Sequence, residues 1–171
     1  MRTTIIAQDR KHLKDLILET IDAEGLACDL NYIDVSQVTD MQELFAHSEF
    51  NGNISGWNTS EVRDMQGMFY NSRFNDDLSN WDVGHVVNME SMFENSIFNQ
   101  DISSWDTSRV TDMNSMFQKS IFQGNILQWN TSNVVDMMFM FKNSIFNSDI
   151  SSWNTSRVTD MFSMFAESEF N

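Results

Sequence analysis

The side chains with the clearest chemical potential are carboxylates and amides that recur every 24 residues in predicted loops. Carboxylate and amide oxygens are the ligands that calcium prefers, so a row of them could bridge neighbouring loops through bound ions. The chain has neither an EF-hand nor a Gly-Gly-x-Gly-x-Asp repeat. Hydrogen bonding to loop N–H groups is therefore the favoured interpretation, with calcium as the alternative. The row consists of Asn53, Asp77, Asp101, Asn125 and Asp149.

The residue types used in catalysis show no arrangement typical of an enzyme. His12, His47 and His85 are scattered and lack metal-binding spacing. Serines are abundant, but no Ser/His/Asp or Cys/His grouping and no phosphate-binding loop is present. The sequence therefore predicts a protein without catalytic activity, cofactor or metal.

A 24-residue repeat must position all of these side chains. Valine, methionine and phenylalanine keep the same 24-residue step as tryptophan, with no insertion between copies. Each copy should therefore be one structural unit stacked on the previous one, with like residues in register. The large rings are predicted to form a stacked core rather than a ligand-binding surface. The tryptophans are Trp57, Trp81, Trp105, Trp129 and Trp153.

The chain divides into a capping segment and a repeat array. Residues 1–29 form the cap, with an amphipathic helix at about 9–24 that starts after Asp9 and stops at Gly25. Ile33 replaces tryptophan in the first, degenerate repeat, as expected for a unit that meets a cap. The six repeats are 30–53, 54–77, 78–101, 102–125, 126–149 and 150–171.

Within one repeat, two periodicities predict a strand followed by a helix. Residues 104–108 alternate as in a strand, with Trp105 and Thr107 inward. Asp112 then begins a short helix whose inner stripe includes Met113 and Phe117. Because packed helices need more space than paired strands, the array should curve. The predicted fold class is an α/β repeat solenoid similar to a leucine-rich repeat, with parallel strands on the concave face and helices on the convex face.

The repeat W-[DN]-[TV]-S-x-V-x-[DN]-M-x-x-M-F-x-x-S-x-F-[NQ] resembles that of BspA-type leucine-rich-repeat surface proteins, also found in mycoplasma lipoproteins. The resemblance covers residues 30–171. It implies a leucine-rich-repeat solenoid without known catalytic activity, with roles in adhesion and protein binding at bacterial surfaces. Val110 stands where the ordinary leucine-rich repeat has its buried asparagine.

Composition limits the classes of partner. A net charge of −15 argues against nucleic acid and against anionic membrane surfaces. No apolar run approaches a membrane span, and the N-terminal residues do not resemble a signal peptide, so the chain as written is expected in the cytoplasm. The family resemblance points instead to the cell surface. The single cysteine, Cys28, excludes an internal disulfide and is predicted to be buried.

Two predicted surfaces could bind a protein partner. One is a patch of Met138, Phe139 and Phe162, where earlier repeats carry polar or small residues. The alternative is that these are isolated surface side chains or pack between neighbouring repeats. The other surface is a polar row on the concave face, Asn58, Asp82, Asp106, Asn130 and Asn154.

The last repeat gives a third prediction. No following polar unit covers Met161, Phe165 and Phe170, so either the natural protein continues or this end is buried against another chain, as in a two-fold homodimer. A weaker alternative function is ice binding. It rests on a threonine ladder that Val83 interrupts and whose side chains are predicted to point inward: Thr59, Thr107, Thr131 and Thr155.

Overall fold

The computed structural model describes residues 2–171, and regular secondary structure in this range is confined to the N-terminal fifth. Strand β1 (Ile5–Ile6) pairs in parallel with β2 (Ile33–Asp34), and helix α1 (Arg10–Glu24) lies between them in sequence. The rest of the described chain consists of turns and isolated bridges.

Helix α1 has the boundaries that its capping residues predict. The Asp9 carboxylate accepts a hydrogen bond from the His12 N–H at 2.8 Å, which satisfies a free donor of the first turn. Gly25 ends the helix at a φ of 89°, and its N–H donates to the Ile21 carbonyl. Leu13 and Ile17 are buried in the same apolar cluster as the first repeat, so α1 covers that end of the array.

Residues from position 30 onward form successive layers, each one 24-residue repeat. Backbone hydrogen bonds join residues about 24 positions apart, for example Phe93 N–H to the Met116 carbonyl at 3.0 Å. Isolated parallel bridges mark the same register. They link Asp40 to Asp64, Asp64 to Asn88, Asn88 to Asp112, Asp112 to Asp136 and Asp136 to Asp160.

The short helix predicted after Asp112 is wrong, because residues 114–119 form consecutive turns. The Met116 N–H bonds to the Met113 carbonyl, while the Phe117 N–H bonds to the next layer at Met140. Ser115 and Lys119 have φ values of 56°, which a right-handed helix excludes. Overlapping four-residue turns start at Met113, Ser115 and Phe117, and they reproduce the apolar spacing of a helix without its backbone bonding.

The strand predicted at residues 104–108 is also wrong. The Trp105 and Val110 N–H groups bond to the carbonyls of Ile102 and Thr107, respectively, and each bond closes a turn. The parallel bridges lie instead at the Asp112-type position. Asp112, predicted to cap a helix, accepts from the Asn114 N–H at 2.9 Å in an Asx turn. The alternation of concave strands and convex helices is therefore absent from residues 2–171.

The ring columns predicted from the register are confirmed. Trp105 and Trp129 stack at 6.3 Å with planes 5° apart, and each of the first four tryptophans is at most 4% exposed. The Trp105 indole N–H donates to the Leu78 carbonyl at 3.1 Å, so burial leaves no polar atom unpaired at this ring. Cys28 is buried as predicted, and this burial raises the pKa of its thiol.

Candidate interaction surfaces

The layer of residues 150–171 has an uncovered apolar face. Met161 is 45% exposed, whereas Met137 in the preceding layer is fully buried. Phe165 stacks on Phe141 at 5.6 Å on one side and is only partly buried, as is Phe170. The structure thus brings together the three residues that the sequence singled out for self-association, and we call this surface the open face.

Phe139 and Phe162 form an aromatic pair beside the open face, in which Phe162 is exposed and Phe139 is half-buried. Their ring centroids lie 5.6 Å apart with planes at 73°, and Phe162 is 65% exposed. The Lys142 ammonium lies 4.9 Å from the centre of the Phe139 ring. Met138, the third residue of the predicted patch, is half-buried on the same turn segment.

The backbone at Phe139 is unusual for an aromatic residue. Its φ is 58°, in the left-handed region where glycine, asparagine and small polar residues are the common choices. The equivalent positions in the other five layers carry Glu43, Gly67, Ser91, Ser115 and Ser163. Holding a bulky ring at this φ has a conformational cost, and residues with such a cost are concentrated at binding and active sites.

The polar row is exposed along its whole length, as predicted for a contact surface. Each of its side chains also accepts a hydrogen bond from the N–H two residues ahead; for Asp106 the donor is Ser108 at 3.0 Å. The hydroxyl and N–H of Ser108 lower the pKa of Asp106. The row therefore helps to shape turns, whatever else it contacts. It comprises Asn58, Asp82, Asp106, Asn130 and Asn154.

The loop carboxylates are occupied by local hydrogen bonds, as the favoured sequence interpretation predicts. Asp77, Asp101 and Asp149 each accept from a serine N–H two residues ahead at 2.8–2.9 Å. These backbone bonds, with the serine hydroxyls, lower the pKa of all three carboxyls. Residues 2–171 contain no group of three or more histidine, cysteine or acidic side chains arranged to hold a metal ion.

The threonine ladder does not form an exposed surface. Thr59, Thr107 and Thr131 are at most 1% exposed, and their hydroxyls donate to carbonyls of the following layer. The inward orientation expected from the sequence is confirmed for these three, which removes the basis for ice binding through this ladder.

A column of half-buried acidic groups runs along the bridged edge. Burial is the main cause that raises the pKa of Asp112, and the nearby carboxylates Asp136 and Asp64 raise it further. Burial and the Asp112 charge similarly raise the pKa of Glu90. Asn88 occupies the Asp112-type position of one layer and donates to Asp64 at 3.4 Å, so an amide is accepted in this column.

We expect Asp112→Asn to stabilise the protein at neutral pH. The asparagine amide oxygen still accepts a hydrogen bond from the Asn114 N–H, as the Asn88 oxygen does from the Glu90 N–H. The substitution also removes a poorly solvated negative charge. Because the folded-state pKa of Asp112 is raised, the ionised carboxylate destabilises the folded state at pH 7. This penalty decreases as the pH is lowered through the folded-state pKa of Asp112, and it is absent below the ordinary carboxyl pKa of about 4.

Urea unfolding of both proteins between pH 7 and pH 3.5 measures this effect. The advantage of the asparagine variant should shrink on acidification. Asp149→Asn, at a fully exposed carboxyl with a lowered pKa, is the matched control and should give no advantage at pH 7. A pH-independent difference for Asp112→Asn would contradict the assigned cause.

Sequence reasoning missed the left-handed residues that shape every layer. Two positions four residues apart have φ values of 51–58° in each of the six layers. The sequence signal for these turns was glycine or asparagine at several of the positions, because these residues adopt a positive φ most easily. Examples are Gly67, Asn71, Asn95 and Asn143.

Comparisons with known proteins agree with the repeat assignment at the level of the family. No helix within residues 2–171 combines the length and apolar character needed to cross a membrane. Neither the curated proteins nor the solved structures include a match to this chain. A family model matches residues 18–121 and again residues 94–171, which together span most of the sequence. The chain therefore belongs to the family described as Mycoplasma protein of unknown function, DUF285.

Proposed function

We propose that this chain is a non-enzymatic repeat scaffold that binds another protein, with the Phe139–Phe162 pair as its main contact. The observation that carries the proposal is the 65% exposed ring of Phe162, which packs at 5.6 Å on a half-buried Phe139 in a costly backbone conformation. Exposed aromatic residues are typical anchors of protein interfaces, where they fill pockets of the partner. The resemblance to BspA-type repeats supports adhesion at a bacterial surface as the setting.

The polar row contributes complementarity rather than affinity in this proposal. Its side chains are short and already bonded to their own turns, so a partner must supply larger anchors of its own. Repetition of the same group in successive layers favours weak contacts that add up along the array.

Substituting the aromatic pair should weaken partner binding without unfolding the chain. Phe139→Ser installs the residue that Ser91, Ser115 and Ser163 carry at the same φ, and Phe162→Asn installs the residue at position 114. Loss of one aromatic anchor costs about 2 kcal/mol or more, or roughly a 30-fold weaker Kd. The partner is first isolated by cross-linking, then purified, and its affinity is measured by calorimetry.

Leu18→Ser, at a 53% exposed position on α1, is the control for loss of any exposed apolar side chain. It should leave the affinity within about twofold of the unsubstituted chain, as expected for a residue outside the contact. Unchanged binding by both Phe139→Ser and Phe162→Asn would overturn the proposal.

A second candidate function, assembly into larger structures, is favoured by the open face. Met161, Phe165 and Phe170 leave apolar surface exposed that every earlier layer buries against its successor. We propose on this ground that the chain can act as an assembly subunit joined through residues 150–171. Light scattering on the purified chain at increasing concentration, compared with Phe165→Asp, tests whether such association occurs.

A further inference from the structure

A polar groove runs along the surface of the first four layers and encloses a volume of about 460 Å³. Sites that hold small ligands typically enclose ~300–1,000 Å³. One wall takes one side chain from each layer, and these are His47, Asn71, Asn95 and Lys119. We call this site the amide groove. It shares no lining residue with the Phe139–Phe162 pair or with the polar row.

The backbone directs the four side chains of this wall the same way. Their φ values are 51–57°, so each occupies the second left-handed position of its layer. The Asn71 amide nitrogen lies 2.9 Å from His47 Nδ1, and the Asn95 amide nitrogen donates to the Asn71 oxygen at 2.6 Å. The wall is therefore a row of side chains at the spacing of the layers, which is ~4.8 Å for parallel bonded segments.

The asparagines of this row keep hydrogen-bonding capacity for a ligand. An amide group has two N–H donors and an oxygen with two lone pairs, whereas the Asn71 and Asn95 nitrogens each make one bond within residues 2–171. In the same range the Asn95 oxygen accepts no hydrogen bond, and the Lys119 ammonium has no carboxylate within 4 Å. Free donors and free acceptors thus alternate along one wall.

The main chain of the amide wall offers a ligand no donor. Its four backbone N–H groups all donate to carbonyls of the next layer at 2.8 Å. An extended peptide that binds by strand addition needs a row of free main-chain N–H and C=O groups. A ligand on this wall must therefore bond to side chains.

The opposite wall is partly apolar. Ile97 and Ile121 line it, and Ile121 is 44% exposed. Ser72 and Ser96 lie between the two walls and are each 2% exposed; the Ser96 hydroxyl oxygen accepts from the Phe98 N–H at 3.1 Å. A ligand in the groove meets amides on one side and aliphatic carbon on the other. A pyranose ring has both kinds of group, since its hydroxyls donate and accept while its faces carry C–H groups.

The charges of the groove favour an uncharged ligand. Arg73 lies 3.6 Å from Glu49 on the same wall, so these two charges offset each other. Lys119 is then the one lysine or arginine of the groove without a carboxylate within 4 Å among residues 2–171. A chain with a net charge of −15 repels a polyanion over longer distances.

We propose that the amide groove binds a linear, uncharged oligosaccharide that lies along the axis of the array. Asn71 and Asn95 bond to sugar hydroxyls through their remaining amide groups, and Lys119 donates to a further hydroxyl. Ile97 and Ile121 pack against the C–H faces of the rings. Because each layer repeats the wall, the site suits a polymer, and several weak contacts add along it. This binding activity goes beyond the protein contact proposed above.

NMR titration of the full chain with three uncharged probes tests the proposal. The probes are cellohexaose, maltohexaose and β-1,4-mannohexaose. At least one should bind with a Kd of about 1 mM or lower, and it should shift the side-chain NH₂ signals of Asn71 and Asn95 more than that of Asn143. Absence of binding by all three overturns the proposal.

Deleting the two amides together should weaken binding of that probe by at least about tenfold, the loss expected for two or more hydrogen bonds. Asn71→Gly with Asn95→Gly removes both amides, and glycine adopts the same positive φ without steric cost. Asn143→Gly is the matched control, because Asn143 has the same φ but bonds to Glu167 outside the groove. Its Kd should stay within about twofold of the unsubstituted chain. Equal affinity of the double variant and the unsubstituted chain overturns the proposal.

A second variant tests the apolar wall if the double variant does not fold. Ile121→Glu installs the residue found at positions 49 and 169 of the same column, and it should also weaken binding by about tenfold. Unchanged affinity of a folded Ile121→Glu chain contradicts the assigned wall.

Two further probes separate the uncharged sugar from other ligands. Hexagalacturonic acid should bind more weakly than the best uncharged probe. Tighter binding of the acid that weakens as salt is raised would overturn the assignment of an uncharged ligand. Shifts of the Asn71 and Asn95 signals by an extended serine–glycine peptide, with none caused by the sugars, would assign the groove to a peptide and overturn the proposal.

Discussion

Phe117→Ala should lower the free energy of unfolding by about 3–5 kcal/mol, the usual cost of deleting a fully buried aromatic ring. Phe117 is fully buried and stacks on Phe93 at 5.7 Å and Phe141 at 5.8 Å in the flanking layers. Within its own layer it lies 4.4 Å from Phe122. The cavity cannot collapse easily, because the hydrogen bonds on both sides of the layer fix the backbone.

Chemical unfolding followed by tryptophan fluorescence measures this loss. The Trp129 ring lies 6.2 Å from Phe117, so the probe is adjacent to the change. Ile121→Ala, four residues away and 44% exposed in the unsubstituted chain, should cost less than about 1 kcal/mol. Similar losses for the two substitutions would show that the rings do not form the continuous core described above.

Lys119→Pro should lower the free energy of unfolding by at least about 3 kcal/mol, although the Lys119 side chain is exposed. The Lys119 N–H donates to the Lys142 carbonyl at 2.8 Å, and proline has no N–H. Proline also fixes φ near −65°, whereas Lys119 has a φ of 56°. Both the bond to the next layer and the left-handed turn are lost.

Lys119→Gly at the same position should instead raise the free energy of unfolding. Glycine keeps the N–H and adopts a positive φ without the steric cost, about 1 kcal/mol, that other residues meet there. Thermal unfolding of the two variants beside the unsubstituted chain provides the measurement. A destabilising glycine together with a tolerated proline would mean that the turn at position 119 is not left-handed.

The features that follow from the register alone could be predicted from the sequence. Identical residues 24 positions apart become neighbours in successive layers, so the burial of Trp105 and Phe117 required no knowledge of the backbone between them. The limits of α1 were equally accessible, since Asp9 and Gly25 use local capping interactions. The exposed Phe162 was found as a departure from the repeat.

The conformation within each layer could not be predicted by periodicity. Met113, Met116 and Phe117 have helical spacing, but four-residue turns place the same residues inward. The choice between them depends on where the N–H groups find acceptors, and here the acceptors belong to the next layer. The direction of these bonds between layers was beyond sequence reasoning for the same reason, because it is a property of the folded backbone.

Along the turn segment, each layer donates four backbone N–H bonds to the next layer, as Phe117 does to Met140 at 2.9 Å. Peptide groups carry a dipole of about 3.5 D, and aligned dipoles add along an axis, as they do in an α-helix. The alignment is partial, because the bond from the Thr111 N–H to the Val87 carbonyl runs the other way. The carbonyl ends of the aligned bonds face α1 at the first layer, where the Lys14 ammonium donates to the Leu44 carbonyl and Arg10 donates to the Gln42 side-chain oxygen at 2.9 Å. The basic side chains of the cap therefore stand against the partial negative charge of the first layer.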